Sequence, residues 1–381
     1  MRVLNVNSSL DFKTGGGTAE RTFQMSRFLA MQGISCVVLT IDTGLDEART
    51  LALKPAQALV TPLIWRRFYV PRISRRAIQA VVEEADVIHL MGHWSILNAL
   101  VYMVLRRAGK PYVVCPAGAL PIFGRSGWLK KIYNRIIGNS IIGNASGWIA
   151  VTLGELPHFE SYGISSSKIT IIPNGVCEDK CPGLDTAAFR SKNGLSAAPV
   201  ILFMGRLNPI KGPDLLLQAF VLIKDRIPDH QLVFAGPDEG MQAGLASLAQ
   251  LEGVGHRVHF LGYVSGADKL ACYHMASVLV VPSRQEAMSI VALEAGVCGT
   301  PVLLTDQCGF GDIKTIDEIL ETSADALGIA RSLVQILTEP GFLARVGPAF
   351  REFIVQRYTW NSIVFEYIRM YQSILTKAAK K

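Results

Sequence analysis

Short apolar runs, each ending at a polar turn and followed by a helical stretch, repeat along most of this 381-residue chain. This order is typical of parallel sheets, because consecutive parallel strands need a crossover connection that is usually a helix. The runs that we interpret as strands are, in chain order, 2–9, 35–42, 85–91, 111–117, 147–152, 168–176, 200–205, 231–236, 258–264, 278–283 and 300–306. The pattern therefore predicts an α/β protein with doubly wound parallel sheets.

The chain is long enough for two domains, since a single core rarely grows past ~250–300 residues. The turn Pro173-Asn174-Gly175 separates two sets of strands with the same strand-turn-helix order. We expect a Rossmann-like domain over 1–173 and a second over 174–359, facing each other across a cleft. The helical stretch at 360–381 could return to the first domain.

Composition indicates where the protein works. Half of the residues are apolar and 18% are charged, which predicts a compact globular protein. No run reaches the ~18–20 uninterrupted apolar residues that span a bilayer, and the N-terminus lacks a signal-peptide pattern. We therefore expect a cytoplasmic protein. The seven cysteines are interpreted as reduced thiols, and Cys177 and Cys181 lack the further ligands of a zinc site, so no metal is expected.

Basic charge is concentrated in the N-terminal half. Residues 1–172 hold 19 Lys and Arg against 10 Asp and Glu, whereas 173–381 hold 19 against 21. Aromatic residues accompany the cations at 65–76 and 124–135. The segments could form a solvated face, contact the anionic inner face of a membrane, or bind nucleic acid. No recognition helix, zinc finger or RNA-binding signature accompanies the charge, so we do not expect nucleic acid.

Two cations follow the apolar strand at 200–205. Arg206 and Lys211 lie in the run GRLNPIKG, on the turn after the strand's carboxyl end. A guanidinium fork and a flexible ammonium could bind the two phosphoryl groups of a diphosphate. The alternative is a pair of solvated charges on a surface turn.

Two glutamates, Glu286 and Glu294, stand eight residues apart in EAMSIVALE, where a turn meets an apolar helix. Ser283 and Glu286 also fit a capping box, which would be a purely structural reason for the first glutamate. An unpaired Glu294 carboxylate would be costly to bury in its apolar surroundings. On one continuous helix the two residues would lie ~12 Å apart along the axis. That exceeds the ~5–9.5 Å of glycosidase carboxylate pairs, so a glycosidase is not expected.

The ordered motifs GRLNPIKG, IIPNGV, LVFAG, VHFLGYV and E-x7-E resemble glycosyltransferase family 4. The resemblance covers nearly the whole chain and implies the GT-B fold and a retaining, hexosyltransferase-type enzyme. Such an enzyme moves a sugar from a nucleoside-diphosphate sugar to an acceptor. Metal-dependent transferases typically carry an Asp-x-Asp pair, which this sequence lacks, so we expect no metal and no cofactor. The basic, aromatic half suggests a lipid-linked or cell-surface saccharide precursor as acceptor.

The resemblance also implies roles for single residues. Glu286 is expected to approach the hydroxyls of the donor sugar, and Glu294 to accept from the ribose diol. The residues expected to bind the donor diphosphate are Arg206, Lys211, Gly16, Gly17, Ser289 and Ile290. The last two would contribute amides at a helix start, and the glycines would let the first domain's backbone approach the diphosphate. A glycine triplet that merely forms a turn is the alternative.

The chain departs from the family pattern in three places. Ala287-Met288-Ser289 replaces a small-aromatic-small triplet, which predicts a narrower or shifted sugar pocket. Met91 stands where a second histidine is usual, and Ala117 replaces the histidine of a Pro-His-Gly segment. His93, one turn further along, could serve as the proton acceptor, or it could have a structural or solvent-facing role.

Two other functions stay open. The missing histidines fit a nucleotide-sugar-binding protein with lost or altered turnover. A nucleotide-sugar epimerase or a phosphorylase could use the same two-domain scaffold.

Overall fold

The computed structural model describes residues 1–122, 126–178 and 184–379. Two compact units divide the chain. Met1–Gly175 and the segment from Trp360 onward form the first unit, and Val176–Thr359 forms the second. The division falls two residues after the boundary expected from the sequence.

A parallel sheet forms the centre of the first unit. Strands in this part of the chain are β1 (Arg2–Val6), β2 (Ser35–Ile41), β3 (Gln57–Thr61), the short β4 (Leu63–Trp65) and β5 (Val70–Pro71), β6 (Val87–Met91), β7 (Tyr112–Cys115), β8 (Gly147–Ala150) and β9 (Ile169–Ile171). The sheet order within the described residues is β3-β2-β1-β6-β7-β8-β9 with parallel pairing throughout, while β4 and β5 form a separate antiparallel hairpin. The direction of winding reverses between β1 and β6, so this sheet is doubly wound, and loops at that reversal are where such folds bind ligands.

Helices cover both faces of this sheet. They are α1 (Phe12–Met31), α2 (Glu47–Ala52), α3 (Arg75–Glu84), α4 (Ile96–Ala108), α5 (Gly127–Tyr133), α6 (Asn139–Gly143) and α7 (Leu156–Glu160). A π-helical turn, Asn134–Gly138, joins α5 to α6. Side chains of α3, α4 and α6 pack with one face of β1, β2, β6 and β7 in a continuous apolar core.

The second unit repeats this plan. Its strands are β10 (Val200–Met204), β11 (Gln231–Ala235), β12 (Val258–Gly262), β13 (Ala276–Val281), β14 (Val302–Thr305) and β15 (Glu321–Thr322). Its helices are α8 (Thr186–Lys192), α9 (Pro213–Ile223), α10 (Gln242–Leu251), α11 (Gly266–Met275), α12 (Ile290–Val297), α13 (Ala326–Thr338) and α14 (Phe342–Arg357). The parallel order is β12-β11-β10-β13-β14-β15. Every residue of β10 and β11 is buried, as the continuous apolar runs require for strands covered on both faces.

A final helix, α15 (Trp360–Ala378), completes the first unit. It packs along α1, where Trp360 stacks on Phe28 with ring centroids 6.2 Å apart. Further along, the Tyr371 hydroxyl lies 2.7 Å from Nδ1 of His89 on β6. These aromatic side chains are almost completely buried, so α15 supplies part of the first unit's core.

The predicted fold class is confirmed, because both units are parallel-sheet, Rossmann-like α/β structures. Two local expectations are corrected. The glycine triplet does not form a simple turn ahead of the helix: helical turns start at Phe12 and the backbone kinks at Gly16, with φ 55° and ψ −144°. In addition, the basic run at 65–76 contains the unpredicted hairpin β4–β5 and the start of α3.

Other expectations concern cysteines and membrane spans. The described cysteines are thiols and not disulfides; Cys177 is half-buried, and Cys181 lies outside the described residues. Of the helices within the described residues, none is both long and apolar enough to cross a membrane.

Candidate functional site

The turn after β10 carries Arg206 and Lys211 at the carboxyl edge of the second unit's sheet. The Arg206 guanidinium donates to Glu239 Oε1 at 2.9 Å, and about half of its side chain is exposed. The Lys211 ammonium lies 2.9 Å from Glu286 Oε1 and is one-quarter exposed. Both cations therefore have carboxylate partners from other loops of the same edge, a pairing that the sequence did not predict for Glu239.

Glu239 lies in the loop after β11. Asn208 donates to its second carboxylate oxygen at 2.6 Å. Partial burial would raise the pKa of Glu239, but the hydrogen bond from Asn208 and the charge of Arg206 outweigh it, so the pKa is lowered. The carboxylate thus stays ionised beside the cation at neutral pH.

Close backbone contacts hold these loops together. Gly212, with φ +67°, is the N-cap residue of α9 and follows Lys211 directly, and a Cβ there would lie 2.0 Å from the carbonyl oxygen of Pro282. Gly309, with φ +60°, lies equally close to the loop of Glu286, where a Cβ would meet the Ala287 carbonyl oxygen at 1.8 Å. Only glycine fits both the dihedral angles and the space. The Lys211–Glu286 pair is therefore fixed by the main chain of three loops, those that follow β10, β13 and β14.

Glu286 precedes helix α12 and is not part of it. The helix begins at Ile290, and Ser289 caps it by accepting from the Ala292 amide at 3.4 Å. The premise of one continuous helix and the capping-box interpretation are both wrong. Ser283 instead donates its hydroxyl to Glu286 Oε2 at 3.0 Å, and the Glu286 amide donates to the carbonyl of Gln307. These two bonds tie Glu286 to the ends of β13 and β14.

Glu294 lies within α12 and is neutralised by α11. Lys269 donates to one carboxylate oxygen at 2.6 Å, and the Tyr273 hydroxyl donates to the other at 2.6 Å. Burial and the neighbouring carboxylate raise the pKa of Tyr273 well above its usual range, so it remains a donor. Lys269 and Tyr273 thus compensate the charge of this half-buried carboxylate. Lys269 and Tyr273 are four apart, hence on one helix face, which was a readable signal that sequence reasoning missed.

The amides of Ser289 and Ile290 stand at the N-terminus of α12. First-turn amides have no acceptor inside their own helix, and the helix dipole adds partial positive charge there. Lys211 and Glu286 lie on the neighbouring loops. The arrangement can accept an anion beside Lys211. Met288, from the altered triplet, is buried.

The predicted glycine loop lies at the carboxyl end of β1 in the first unit. Gly16 occupies the kink with φ 55°, a conformation that L side chains rarely adopt, and Gly17 is exposed. A Cβ at Gly15 would come within 2.5 Å of Ala19. The loop is therefore shaped by its glycines, and the expected contact with a diphosphate stays a prediction.

His93 follows β6 in the first unit and is only 2% exposed. Its Nε2 lies 2.8 Å from Asn134 Oδ1, and Asn134 Nδ2 donates to the Tyr162 hydroxyl at 2.6 Å. Burial lowers the pKa of His93 to about 4, although the bond to Asn134 works in the opposite direction. The imidazole is therefore neutral at pH 7. Nδ1 has no hydrogen-bond partner among the described residues.

A pocket of about 220 Å³ opens beside this group. The described residues that line it are Leu120, Pro121, Ile122, Asn134, Asn139, His158, Ser161 and Tyr162. Asn134 and Tyr162 belong both to this lining and to the hydrogen-bonded chain from His93. The contact between Asn134 and His93 was not predictable from the sequence, because the π-helical turn that carries Asn134 interrupts a regular helical pattern.

Ala117, at the position of the expected histidine, lies in the left-handed region with φ 49°. The turn is held by Glu155, whose carboxylate accepts from the amides of Gly118 at 2.9 Å and Val151 at 3.0 Å. Burial raises the pKa of Glu155. This buried carboxylate was not predicted from the sequence.

No group of three or more His, Cys, Asp or Glu side chains in residues 1–122, 126–178 and 184–379 is arranged to hold a metal ion.

Two family models match the chain in succession. The model for Glycosyltransferase Family 4 matches residues 15–180, and the model for Glycosyl transferases group 1 matches residues 185–353. Each corresponds to most of one half of the chain.

Curated relatives agree with these matches. A D-inositol 3-phosphate glycosyltransferase of Geodermatophilus obscurus is 28% identical, over 76% of this chain and 70% of the relative. A phosphatidyl-myo-inositol mannosyltransferase of Mycobacterium leprae is 27% identical, over 97% of this chain and 96% of the relative.

Solved structures show the same fold. HepE of Anabaena, in complex with UDP-glucose, superposes with a TM-score of 0.78 at 18% identity, covering 98% of this chain and 100% of the other. Sucrose-phosphate synthase of Thermosynechococcus elongatus gives 0.76 at 20% identity, with 99% and 100% covered. The fold is GT-B.

Proposed function

The chain belongs to the glycosyltransferases of group 1 and family 4, and on that premise we propose that it transfers a hexosyl group from a nucleoside-diphosphate sugar with retention of anomeric configuration. We propose further that the protein's own cations, without a metal, stabilise the departing diphosphate. The absence of an Asp-x-Asp pair from the sequence supports this second part.

The observation that carries the proposal is the loop edge that joins Lys211 to Glu286 beside the start of α12. A diphosphate gains negative charge as the bond to the sugar breaks, and fixed cations and amide dipoles lower the energy of that state. Arg206 and Lys211 supply the cations, and Ser289 and Ile290 supply amides. Exposed ion pairs such as Arg206–Glu239 are worth little, so a diphosphate can displace the carboxylate at small cost.

Glu286 has a second role in the proposal. Its two carboxylate oxygens are bound by Lys211 and Ser283, which fixes the group next to the phosphate-binding cation. From that position it would accept from hydroxyls of the donor sugar. Glu294, held by Lys269 and Tyr273, would accept from the ribose. The acceptor would then attack from the face that the diphosphate leaves, with a diphosphate oxygen taking its proton.

We propose a lipid-linked or cell-surface saccharide precursor as acceptor, used by a cytoplasmic enzyme at the inner face of a membrane. The name of the Mycobacterium leprae relative denotes a lipid acceptor, and the solved Anabaena relative holds UDP-glucose. The pocket beside His93 and Asn134 is the candidate place for the polar head of that acceptor.

Calorimetric titration with UDP, GDP, ADP and dTDP, in the presence of a chelator, tests the donor site. We expect one nucleotide to bind, and Arg206→Ala and Lys211→Ala each to weaken it about 10- to 100-fold, since a charge-assisted hydrogen bond contributes ~1.5–3 kcal/mol. Arg226→Ala is the matched control, because Arg226 is an exposed cation in the turn between α9 and β11, at the amino edge of the same sheet. Unchanged affinity in both cation variants would refute the proposed site.

Turnover separates an active enzyme from a protein that only binds the donor. Two features favour a protein that only binds the donor: His93 is buried and neutral, and residue 117 is an alanine. Release of nucleoside diphosphate in the presence of a lipid-linked saccharide, with the product's anomeric configuration read by NMR, supports the enzyme. Binding without release under any acceptor supports the binding protein.

A further inference from the structure

The segment from α5 through the π-helical turn leaves large apolar side chains in solvent. Trp128 is 66% exposed, Ile132 45% and Ile136 74%. They follow one another at intervals of four residues, so they lie along one side of the helix. We call this row of three exposed apolar side chains the ridge. An exposed apolar surface of this kind marks an interaction site.

The π-helical turn keeps the ridge straight. In an α-helix each step of four residues overshoots a full turn of 3.6, so successive ridge residues drift around the axis. A π-helix bonds residue i to i+5 and has a wider turn, so Ile136 comes back nearer to the line of Trp128 and Ile132. A π-helical turn inside a helix frequently accompanies function.

The opposite side of the same segment is already occupied. Tyr133 and Ile137 pack against the apolar core of the first unit, and Asn134 bonds to His93 and Tyr162. The fold therefore does not need Trp128, Ile132 and Ile136 for its own packing. They are therefore available to a partner outside this unit.

Charge indicates what covers the ridge. Lys131 and Arg135 are exposed and alternate with the three apolar residues on the same stripe. Between Asp86 and Glu155 the sequence contains no Asp or Glu and seven Lys or Arg. Apolar side chains flanked by cations, with no acid in the surrounding sequence, complement a surface that is apolar inside and anionic at its boundary.

We propose that this ridge of Trp128, Ile132 and Ile136, together with the flanking cations Lys131 and Arg135, docks the first unit onto an anionic phospholipid bilayer. The three apolar side chains enter the boundary between headgroups and acyl chains, and the two cations bind lipid phosphates. The indole of Trp128 suits that boundary because one edge is polar. A second protein is disfavoured, since both charged residues of the stripe, Lys131 and Arg135, are cations and the sequence between Asp86 and Glu155 supplies no acidic partner.

The ridge lies close to the pocket proposed for the acceptor, so docking would bring that pocket to the membrane. This step rests on the proposed function. The segment follows β7, so it starts from the carboxyl edge of the sheet, and its inner side carries Asn134 of the pocket. Ridge and pocket are thus separated by one helix diameter, ~10 Å. A lipid-linked acceptor would present its polar head to the pocket while its tail stays in the bilayer.

Vesicle flotation with the full-length protein tests the docking. Vesicles of equal parts phosphatidylglycerol and phosphatidylcholine are compared with pure phosphatidylcholine. We expect binding to the anionic vesicles, a loss of about 25-fold in Lys131→Gln/Arg135→Gln because each cation near the surface contributes roughly fivefold, and a loss of about 100-fold in Trp128→Gln/Ile132→Gln/Ile136→Gln.

Matched controls come from elsewhere in the chain. Arg106→Gln/Arg107→Gln removes the same charge from exposed positions at the far end of α4, and Leu222→Gln/Leu251→Gln removes apolar surface that is 55% and 82% exposed in the second unit. Both should float like the unmodified protein. Equal flotation of the ridge variants and the unmodified protein would overturn the proposal.

The β4–β5 hairpin is the competing lipid contact in this unit, with Ile64 64% and Trp65 55% exposed beside Arg66 and Arg67. Flotation lost in Ile64→Gln/Trp65→Gln but retained in the ridge variants would also overturn it. Nucleotide titration of the ridge variants distinguishes a failure of the docking proposal from a failure of the donor-site proposal. Unchanged nucleotide affinity with lost flotation supports the docking, whether or not the donor site is correctly assigned.

Discussion

Single contacts decide how the donor site would work, and the pair of Lys211 with Glu286 is the most informative. The ammonium pairs with the Glu286 carboxylate, and in the proposed donor site it would also bind the diphosphate. Because the carboxylate would repel the diphosphate while holding its binding partner, the pair would lower nucleotide affinity in exchange for a fixed position of Glu286.

Glu286→Gln removes that repulsion. We expect the nucleoside diphosphate to bind about fivefold tighter, corresponding to ~1 kcal/mol for one near-surface charge interaction, while sugar transfer falls steeply. Titration calorimetry and a transfer assay measure the two effects. Asp214→Asn is the control, since it removes a carboxylate that pairs with Arg284 on a nearby loop. Weaker nucleotide binding in Glu286→Gln would contradict the role given to this carboxylate.

For most of the interacting side-chain pairs, the sequence predicted one partner but not the other. Arg206 and Lys211 follow a strand directly, and local order places them at the sheet edge. Glu239 and Lys269 reach their partners from other loops and helices, and the pattern along one segment carries no information about which distant side chain will meet it. For the same reason Asn134, the partner of His93, was missed.

At the scale of elements, close backbone contacts position the loops. Gly212 combines a left-handed φ of +67° with a carbonyl oxygen 2.0 Å from where a Cβ would stand, so the loop of Lys211 cannot approach β13 with any other residue. The order of strands and helices was predictable because its period is local. The β4–β5 hairpin, the kink at Gly16 and the π-helical turn were not, because each departs from regular period to satisfy tertiary packing.

Gly212→Ala tests this contact. We expect the second unit to lose about 2 kcal/mol or more of unfolding free energy from strain and steric overlap, and nucleotide binding to weaken as Lys211 shifts. Gly253→Ala is the matched control, since Gly253 has φ +73° and nothing within 4 Å of an added Cβ. It should show the strain alone. Equal denaturation midpoints for the two variants would show that the contact with Pro282 is unimportant.

At the scale of the whole molecule, buried histidines make stability depend on pH. Burial lowers the pKa of His89 to about 3 and that of His93 to about 4. Both lie in the first unit. The unfolded chain binds these protons at its ordinary histidine pKa of about 6.5, so the unfolded state gains protons first as the pH falls. Stability is therefore lost progressively below about 6.5.

Thermal or urea unfolding followed from neutral to acidic pH measures this loss. We expect about 2 kcal/mol per histidine at about pH 5. His93→Gln keeps a polar side chain beside Asn134 and has no such proton to gain, so its unfolding free energy should fall less than that of the unmodified protein over the same range. Parallel pH profiles would show that His93 is not titrating in this way.

The first unit also depends on both ends of the described chain. Trp360, Tyr367 and Tyr371 of α15 are at most 2% exposed within it. A fragment of residues 1–175 should therefore lack a stable core, whereas 176–359 contains all of its own sheet. We expect cooperative unfolding by circular dichroism for the second fragment only. A cooperative transition in the first fragment would mean that α15 is dispensable.

This return of the last helix bears on biosynthesis. A ribosome releases residues in order, so the amino-terminal sheet emerges early but waits for its closing helix until the residues after Trp360 have been made. The carboxy-terminal unit, encoded in between, can finish first. During that interval the apolar grooves that will hold the three aromatic rings of α15 stay exposed to solvent. Chaperones that bind nascent chains are therefore expected to act mainly on the first unit.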